Sequence, residues 1–444
     1  MIDLDIGMIT LLLFLGLFIV LMMGQPLAFV LGGLGVLFTL LFWQPSSIYL
    51  FVAKIWGAMN SFPLIAIPLF VLMAAILQES GVAEDLIRMM YQWTGAVRGG
   101  LAVGAVFVAA IIAAMTGINA TGTVTLGMFA LPHMMKYKYD KELCVGSIMA
   151  GGSLGVLIPP SVLFIIFAIV SQVSIGRLFM AGIVPGLLLV LLFTIYILVI
   201  SFLKPNLAPS LPKEERPTWT EKVKGLRYVL LPLLIIIAVL GSIYGGIASV
   251  SESAGMGVLG TIVAAAIHRR LNVPMLKKSA ESAFRMTVMC MWILFGSFTF
   301  AAVYQGLGAS GLINDLMVAL PGGKWGAFIF MQLSFFVLGC FLDPVGIIMI
   351  TAPIFVPLAK SLGFDPIWYG VIYVMNMQIA YLTPPFGFNL FWMKAVAPKS
   401  ITIENIYRSV IPFVILQAIG LIICTIFPEI VTFLPDQMMA AYTK

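Results

Sequence analysis

Two interrupted apolar stretches dominate this chain. Leu157-Ile158-Pro159-Pro160 breaks the first and Leu382-Thr383-Pro384-Pro385 breaks the second, with the proline pairs 225 positions apart. Other landmarks repeat in the same order. Ser80-Gly81 with Asp85-Leu86 returns as Ser310-Gly311 with Asp315-Leu316, 230 positions on. Gly24-Gln25-Pro26, ahead of a Gly-rich apolar run, matches Gly246-Ile247-Ala248, 222 positions on. The pattern describes one unit written twice. Helix breaks at matching places in two halves are the sequence mark of a transporter's binding region.

The medium follows from composition. Of 444 residues, 61% are hydrophobic and 9% charged, against roughly 25% charged in a soluble domain. Apolar stretches recur from end to end and are continuous rather than alternating, which selects helices over a β-barrel. The expected fold is an all-α polytopic membrane protein. The acidic start Met1-Ile2-Asp3-Leu4-Asp5 is unlike the basic start of a signal peptide, so Ile6 is expected to open a retained first helix.

Crossings are expected near 6–23, 25–42, 61–79, 143–175 and 178–203, then near 228–244, 247–267, 284–306, 367–395 and 409–427, with 44–60 as an interfacial helix. The stretches 100–135 and 325–359 each have a polar, Gly- or Pro-containing middle and read as re-entrant hairpins. Residues 1–203 then form one repeat, 204–227 a Pro-rich charged cytoplasmic linker, and 228–444 the second repeat. Each repeat holds five crossings and one hairpin. An odd number of crossings makes the two copies lie inverted. With both termini outside, nineteen of the 24 Lys and Arg fall on the cytoplasmic side and five (Lys54, Arg177, Lys324, Lys360, Lys444) on the outer side. That asymmetry is what the positive-inside rule asks for.

Four segments place polar groups and helix breakers inside apolar sequence. They are Thr116–Thr123 in the first hairpin, Gly151–Ser161 in the first broken crossing, Asp343–Gly346 with Thr351 in the second hairpin, and Gln378–Asn389 in the second broken crossing. Unwound backbone at membrane depth survives only where it lines a cavity or binds something. Free carbonyls with Ser, Thr and Asn oxygens suit a small hard cation, and the positive ends of half-helices suit a carboxylate. Asp343 is the one acid in these segments, with capping of the returning helix as its other reading. Glu252, His133, His268 and Lys394 read as interfacial or structural, and Cys144, Cys290, Cys340 and Cys424 as buried hydrophobes. The chain holds no phosphate-binding Gly-x-x-x-x-Gly-Lys-Ser/Thr loop and no His-Glu-x-x-His. Its net charge of +6 reports topology rather than nucleic acid. No enzyme activity is expected.

Gly151-Gly152-Ser153-Leu154-Gly155 running to Ile158-Pro159-Pro160-Ser161 resembles the signature of the large membrane subunit of tripartite ATP-independent periplasmic (TRAP) transporters. Leu342-Asp343-Pro344 with Pro353-Ile354-Phe355-Val356-Pro357-Leu358, and Leu382-Thr383-Pro384-Pro385-Phe386-Gly387, resemble it too. The resemblance covers essentially the whole chain. It implies an elevator-type permease of the bacterial inner membrane, with the hairpins and broken helices as a mobile transport domain and the rest as scaffold. It further implies sodium as the driving and only metal ion, an organic acid as cargo, a periplasmic substrate-binding protein, and a small four-helix membrane subunit on a separate chain. Carried over by position, one sodium site would use Thr116, Asn119, Thr121, Gly151 and Ser153. A second would use Asp343, Gly346, Thr351, Gln378 and Thr383. Substrate would lie near Pro160, Ser161, Pro385 and Asn389. The runner-up is a stand-alone sodium- or proton-coupled carrier of the same superfamily that works without accessory subunits.

Overall fold

The computed structural model describes residues 4–117, 119–339, 342–384 and 387–442, with Asn119, Ala441 and Tyr442 described by their helical backbone alone. Every regular element among the described residues is helical.

The first half runs α1 (Ile6–Met22), α2 (Leu27–Phe42), α3 (Ile48–Met59), α4 (Ala66–Glu79), α5 (Val82–Thr94), α6 (Gly100–Thr116), α7 (Asn119–Lys136), α8 (Lys141–Ser153), α9 (Val162–Ser171) and α10 (Ile175–Leu203). A short helix, α11 (Trp219–Gly225), lies in the connection. The second half runs α12 (Arg227–Tyr244), α13 (Val250–Ile267), α14 (Val273–Gly306), α15 (Ala309–Val318), α16 (Gly323–Gly339), α17 (Pro344–Ser361), α18 (Pro366–Leu382), α19 (Phe388–Val396), α20 (Ile403–Ile426) and α21 (Glu429–Tyr442). Apart from α3 and α21, element answers element: α5 to α15, the pair α6–α7 to α16–α17, the broken pair α8–α9 to α18–α19.

Among the described residues, seven helical segments have the length and apolarity to cross a membrane, or eight if the bent pair α15–α16 counts as one. Others are short because the chain breaks inside them: α8 and α9 have 13 and 10 residues, α18 and α19 have 17 and 9. Many large apolar side chains are exposed, as on α1 (Leu11, Met22), α10 (Leu187, Leu203) and α20 (Ile411, Ile426). Such a surface is stable against lipid tails and unstable against water.

Local chemistry fixes the helix ends. Asp140 and Asp365 occupy equivalent N-caps, each accepting two backbone N–H bonds at 2.8–3.1 Å, and start α8 and α18. Glu252 closes a capping box with Ser249 at the head of α13. Three elements fall outside the apolar runs read from sequence. Helix α5 is amphipathic and carries Glu84 and Asp85 in its first turn. Helix α14 starts about ten residues before its apolar part, at an Asn272 cap followed by Pro274. The terminal α21 packs on α10 and α18.

Packing separates two neighbourhoods. Helix α14 lies on α2 and α4, and α13 lies on α4 and α12. Helix α8 is enclosed by α6, α7 and α20, while α18 is enclosed by α16, α20 and α10. All residues Leu143–Ser153 and Ile367–Leu382 are buried. An ionic seam joins α5 and the end of α4 to the α13–α14 region: Asp85–His268 at 2.8 Å, Glu84–Arg270 at 3.2 Å and Glu79–Lys278 at 2.7 Å. His268, read from sequence as interfacial, thus meets an acid from the other half.

Candidate functional site: two broken helices bound to each other

Helix α8 can reach its neighbours because it ends in Gly151-Gly152-Ser153. A Cβ on Gly152 would sit 2.1 Å from Thr123 Oγ1 and 2.8 Å from the Thr123 amide N of α7. One on Gly151 would sit 2.7 Å from Ala109 Cβ of α6. Small residues let membrane helices approach to backbone contact where larger ones would hold them apart. The tip of the first hairpin then closes onto the first break. Gly117 has φ +63°, and a Cβ there would stand 2.0 Å from the Pro160 carbonyl O. Ser161 caps α9, donating to the Val156 carbonyl and accepting from Phe164 N at 3.4 Å.

The centre of the site is the Ser153 hydroxyl. It donates to the Ala150 carbonyl at 2.7 Å. It accepts from Gln378 Nε2 at 3.0 Å and Gln417 Nε2 at 2.8 Å. Ser153 and Gln378 are 225 positions apart, the same offset as the two proline pairs. The bond therefore joins corresponding positions of the two broken segments. A second link crosses nearby, from Asn389 Nδ2 of α19 to the Met149 carbonyl of α8 at 2.8 Å.

The side-chain amide donors in this core are paired and four oxygens are not. Gln378 Oε1, Gln417 Oε1, Asn389 Oδ1 and Thr123 Oγ1 are buried without a hydrogen-bond partner. A buried amide oxygen left without a donor costs about 1–3 kcal/mol. A set of such oxygens is a standing demand for water, a donor or a cation.

The sequence-chosen residues distribute as follows. Gly151, Ser153, Gln378 and Asn389 share the central cluster. Pro160 and Ser161 meet the first hairpin tip at Gly117. Thr116 Oγ1 bonds its own helix at the Ile112 carbonyl, 2.8 Å, and Thr121 Oγ1 accepts from Gln78 of α4 at 2.7 Å. In the second half Asp343 caps α17, accepting from Val345 N at 3.1 Å and Gly346 N at 3.4 Å. Thr351 pairs with Tyr373 Oη at 2.5 Å, and Thr383 bonds back to the Ile379 carbonyl at 2.8 Å. Gln378, assigned from sequence to the second set, thus reaches the first break instead of Asp343. Asn119 is the first residue of α7, and its side chain lies outside the described residues, as does Pro385. Sequence reasoning passed over Gln417, Gln78 and Tyr373. A signal existed for the two glutamines, since each is an uncharged polar residue inside an otherwise apolar crossing.

With this geometry in view, the comparisons with known proteins decide the family. Residues 14–430 match the model of the tripartite ATP-independent periplasmic transporter, DctM component. The chain belongs to the TRAP transporter large-permease family. It is 33% identical over 407 residues to the C4-dicarboxylate TRAP transporter large permease protein DctM of Pseudomonas aeruginosa, covering 91% of this chain and 93% of that one. It is 31% identical to the ectoine/5-hydroxyectoine TRAP transporter large permease protein UehC of Ruegeria pomeroyi, covering 96% and 98%. The crystal structure of the Alcanivorax borkumensis YdaH transporter superposes with a TM-score of 0.63 at 13% identity, covering 98% of this chain and 99% of that one. At that identity the likeness speaks for the fold. This TRAP permease is a multi-pass membrane protein, and its relatives are named as permeases rather than enzymes.

Proposed function

We propose that this TRAP permease drives uptake of a small organic acid across the bacterial inner membrane by sodium symport. A periplasmic binding protein would deliver the cargo, and a small four-helix subunit would widen the scaffold. The observation that carries the reading is the cluster of stranded buried oxygens around Ser153, where the two broken helices meet. Oxygen donors from uncharged side chains and free carbonyls suit a monovalent hard cation, which needs no carboxylate cage. Residues Thr116, Asn119, Thr121, Gly151 and Ser153, now joined by Gln378, and Asp343, Gly346, Thr351 and Thr383, are the candidate sodium ligands. Cargo would lie at Pro160, Ser161, Pro385 and Asn389, against the positive ends of α9 and α19. The relatives named for C4-dicarboxylates and for ectoines support a small polar organic cargo.

The hairpins and broken helices would move together past the frame of α2, α4, α13 and α14, in an elevator step. The distribution of basic residues supports a cytoplasmic linker and outer termini. The test is uptake of radiolabelled succinate into proteoliposomes holding this chain, its small subunit and its binding protein. The expected result is accumulation that requires an inward sodium gradient and the binding protein and does not require ATP. Accumulation undiminished when choline replaces sodium would refute the coupling.

A further inference from the structure

A second cavity, of about 730 Å³, opens at the end of the bundle opposite the linker. Its walls come from α3 and α14 on one side and from the far ends of α9 and α17 on the other. Along α17 its lining begins at Ala352, eight residues past Pro344. At 1.5 Å per residue that is about 12 Å from the hairpin tip, and none of Ser153, Gln378, Gln417 and Asn389 is in its lining, so this space is separate from the broken-helix cluster.

Lys54 and Lys360 stand at this cavity, and among the described residues no Asp or Glu lines it. Each ammonium is held by neutral oxygen alone: Lys54 Nζ donates to Gln305 Oε1 at 3.2 Å, and Lys360 Nζ to the Ser171 carbonyl at 3.4 Å. Ser171, also in the lining, has a buried hydroxyl with no hydrogen-bond partner. The other basic residues at this end have different company. Arg177 lies 3.9 Å from Asp436, Lys324 sits over the Trp325 and Phe364 rings at 5.8 and 5.7 Å, and Lys444 lies outside the described residues. The positive-inside rule disfavours lysine at an outer end, so topology supplies no reason for these two. Uncompensated cations at the mouth of a ligand-sized cavity focus the field and concentrate anions.

We propose that this cavity is an anion-binding antechamber, in which Lys54, Lys360 and Ser171 hold a small carboxylate before it reaches the hairpin tips. The proposal rests on the reading of the chain as an organic-acid permease and adds a site to it. Its two lysines sit on different sides of the gap, one on α3 and one on α17. A carboxylate would therefore be held between the frame and the hairpin, where relative movement of the two would release it.

The test uses Ser61→Cys as a reporter in the cavity wall, in the full chain in phosphatidylcholine nanodiscs and sodium-free choline buffer. Neutral lipid removes headgroup anions as a competing source of charge. Labelling rates are measured with anionic 2-sulfonatoethyl and cationic 2-(trimethylammonium)ethyl methanethiosulfonate. Each rate is normalised to its reaction with a free small thiol and corrected for the parent chain. The expected anionic preference is about tenfold. It should persist in Lys54→Arg/Lys360→Arg and fall to near unity in Lys54→Gln/Lys360→Gln. Succinate should slow labelling in the parent reporter and not in the Gln pair. A preference near unity in the parent, an unchanged preference in the Gln pair, or labelling indifferent to succinate would each overturn the proposal. Because sodium is absent throughout, the site can pass this test even if sodium-driven uptake fails, and the reverse.

Discussion

In α6, the entering arm of the first hairpin, thirteen of seventeen residues are buried, whereas in its counterpart α16 only five of seventeen are. Helix α6 is wedged among α5, α8 and α10. Helix α16 leaves Ile329, Leu333 and Val337 more than half exposed, and Leu333 and Val337 face an apolar cavity of about 1090 Å³ shared with α1. The tips differ in kind as well. The first closes by backbone contact, Gly117 against Pro160. The second is organised by one carboxylate, Asp343, capping its own returning helix. A duplicated unit can keep its element order while the two copies differ: the entering arm of the first hairpin is enclosed, and that of the second is largely exposed while its returning arm α17 is buried.

Breaking the Gly117 contact should produce the largest effect. Gly117→Ala places a Cβ against the Pro160 carbonyl at a left-handed backbone position, where neither neighbour can yield cheaply. Strain and overpacking of about 1–3 kcal/mol each are expected, with a marked drop in melting temperature and loss of uptake. Its counterpart test is Gly346→Ala. There the nearest atom is the Leu27 side-chain end at 2.4 Å, which can turn away, so melting should change little. Equal effects from the two would erase the distinction between the hairpins.

Ser153→Ala should come next, because it strands two buried amide donors, at about 1–3 kcal/mol each. Thr351→Val in the second half strands one hydroxyl, Tyr373 Oη, so chemical-denaturant or thermal melts should show a clearly smaller loss. A larger loss for Thr351→Val would mean that the polar core is not anchored at the Ser153 contact.

Asp343→Asn sharpens the comparison differently. Asparagine caps a helix about as well as aspartate, so stability should hold within about 0.5 kcal/mol. Sodium-dependent uptake should nevertheless fall if the carboxylate faces the ion. Normal uptake would leave Asp343 as a cap alone. The smallest effect is expected at the ionic seam. Glu84→Gln removes a part-exposed pair with Arg270, for which melts should show less than about 1 kcal/mol.

Much of this was legible in the sequence because membrane helices announce themselves by apolar runs and their breaks by Gly and Pro. The interruptions at Gly151–Ser161 and Gln378–Asn389, and the turns at Gly117 and Asp343, fall at breaks in the structure. Amphipathic α5 and the charged start of α14 were hidden because their polar faces break the apolar signal. The cross-repeat bonds were hidden for another reason. Ser153–Gln378 and Ser153–Gln417 join positions 225 and 264 apart, and linear spacing assigns residues to the segment that carries them. Gln378 therefore read as a partner of Asp343, whereas packing brings it to the opposite break.

Sodium binding at the broken-helix core is the central claim, and thermal stability tests it without knowledge of the cargo. The purified chain is melted in sodium chloride and in choline chloride at matched ionic strength, across a concentration series. A ligand that binds the folded state stabilises it by about 2.7 kcal/mol at 100 times its dissociation constant. The account predicts a saturable rise in melting temperature specific to sodium and lost in Asn119→Ala. Identical melting curves in the two salts, or a rise that survives in that variant, would contradict it.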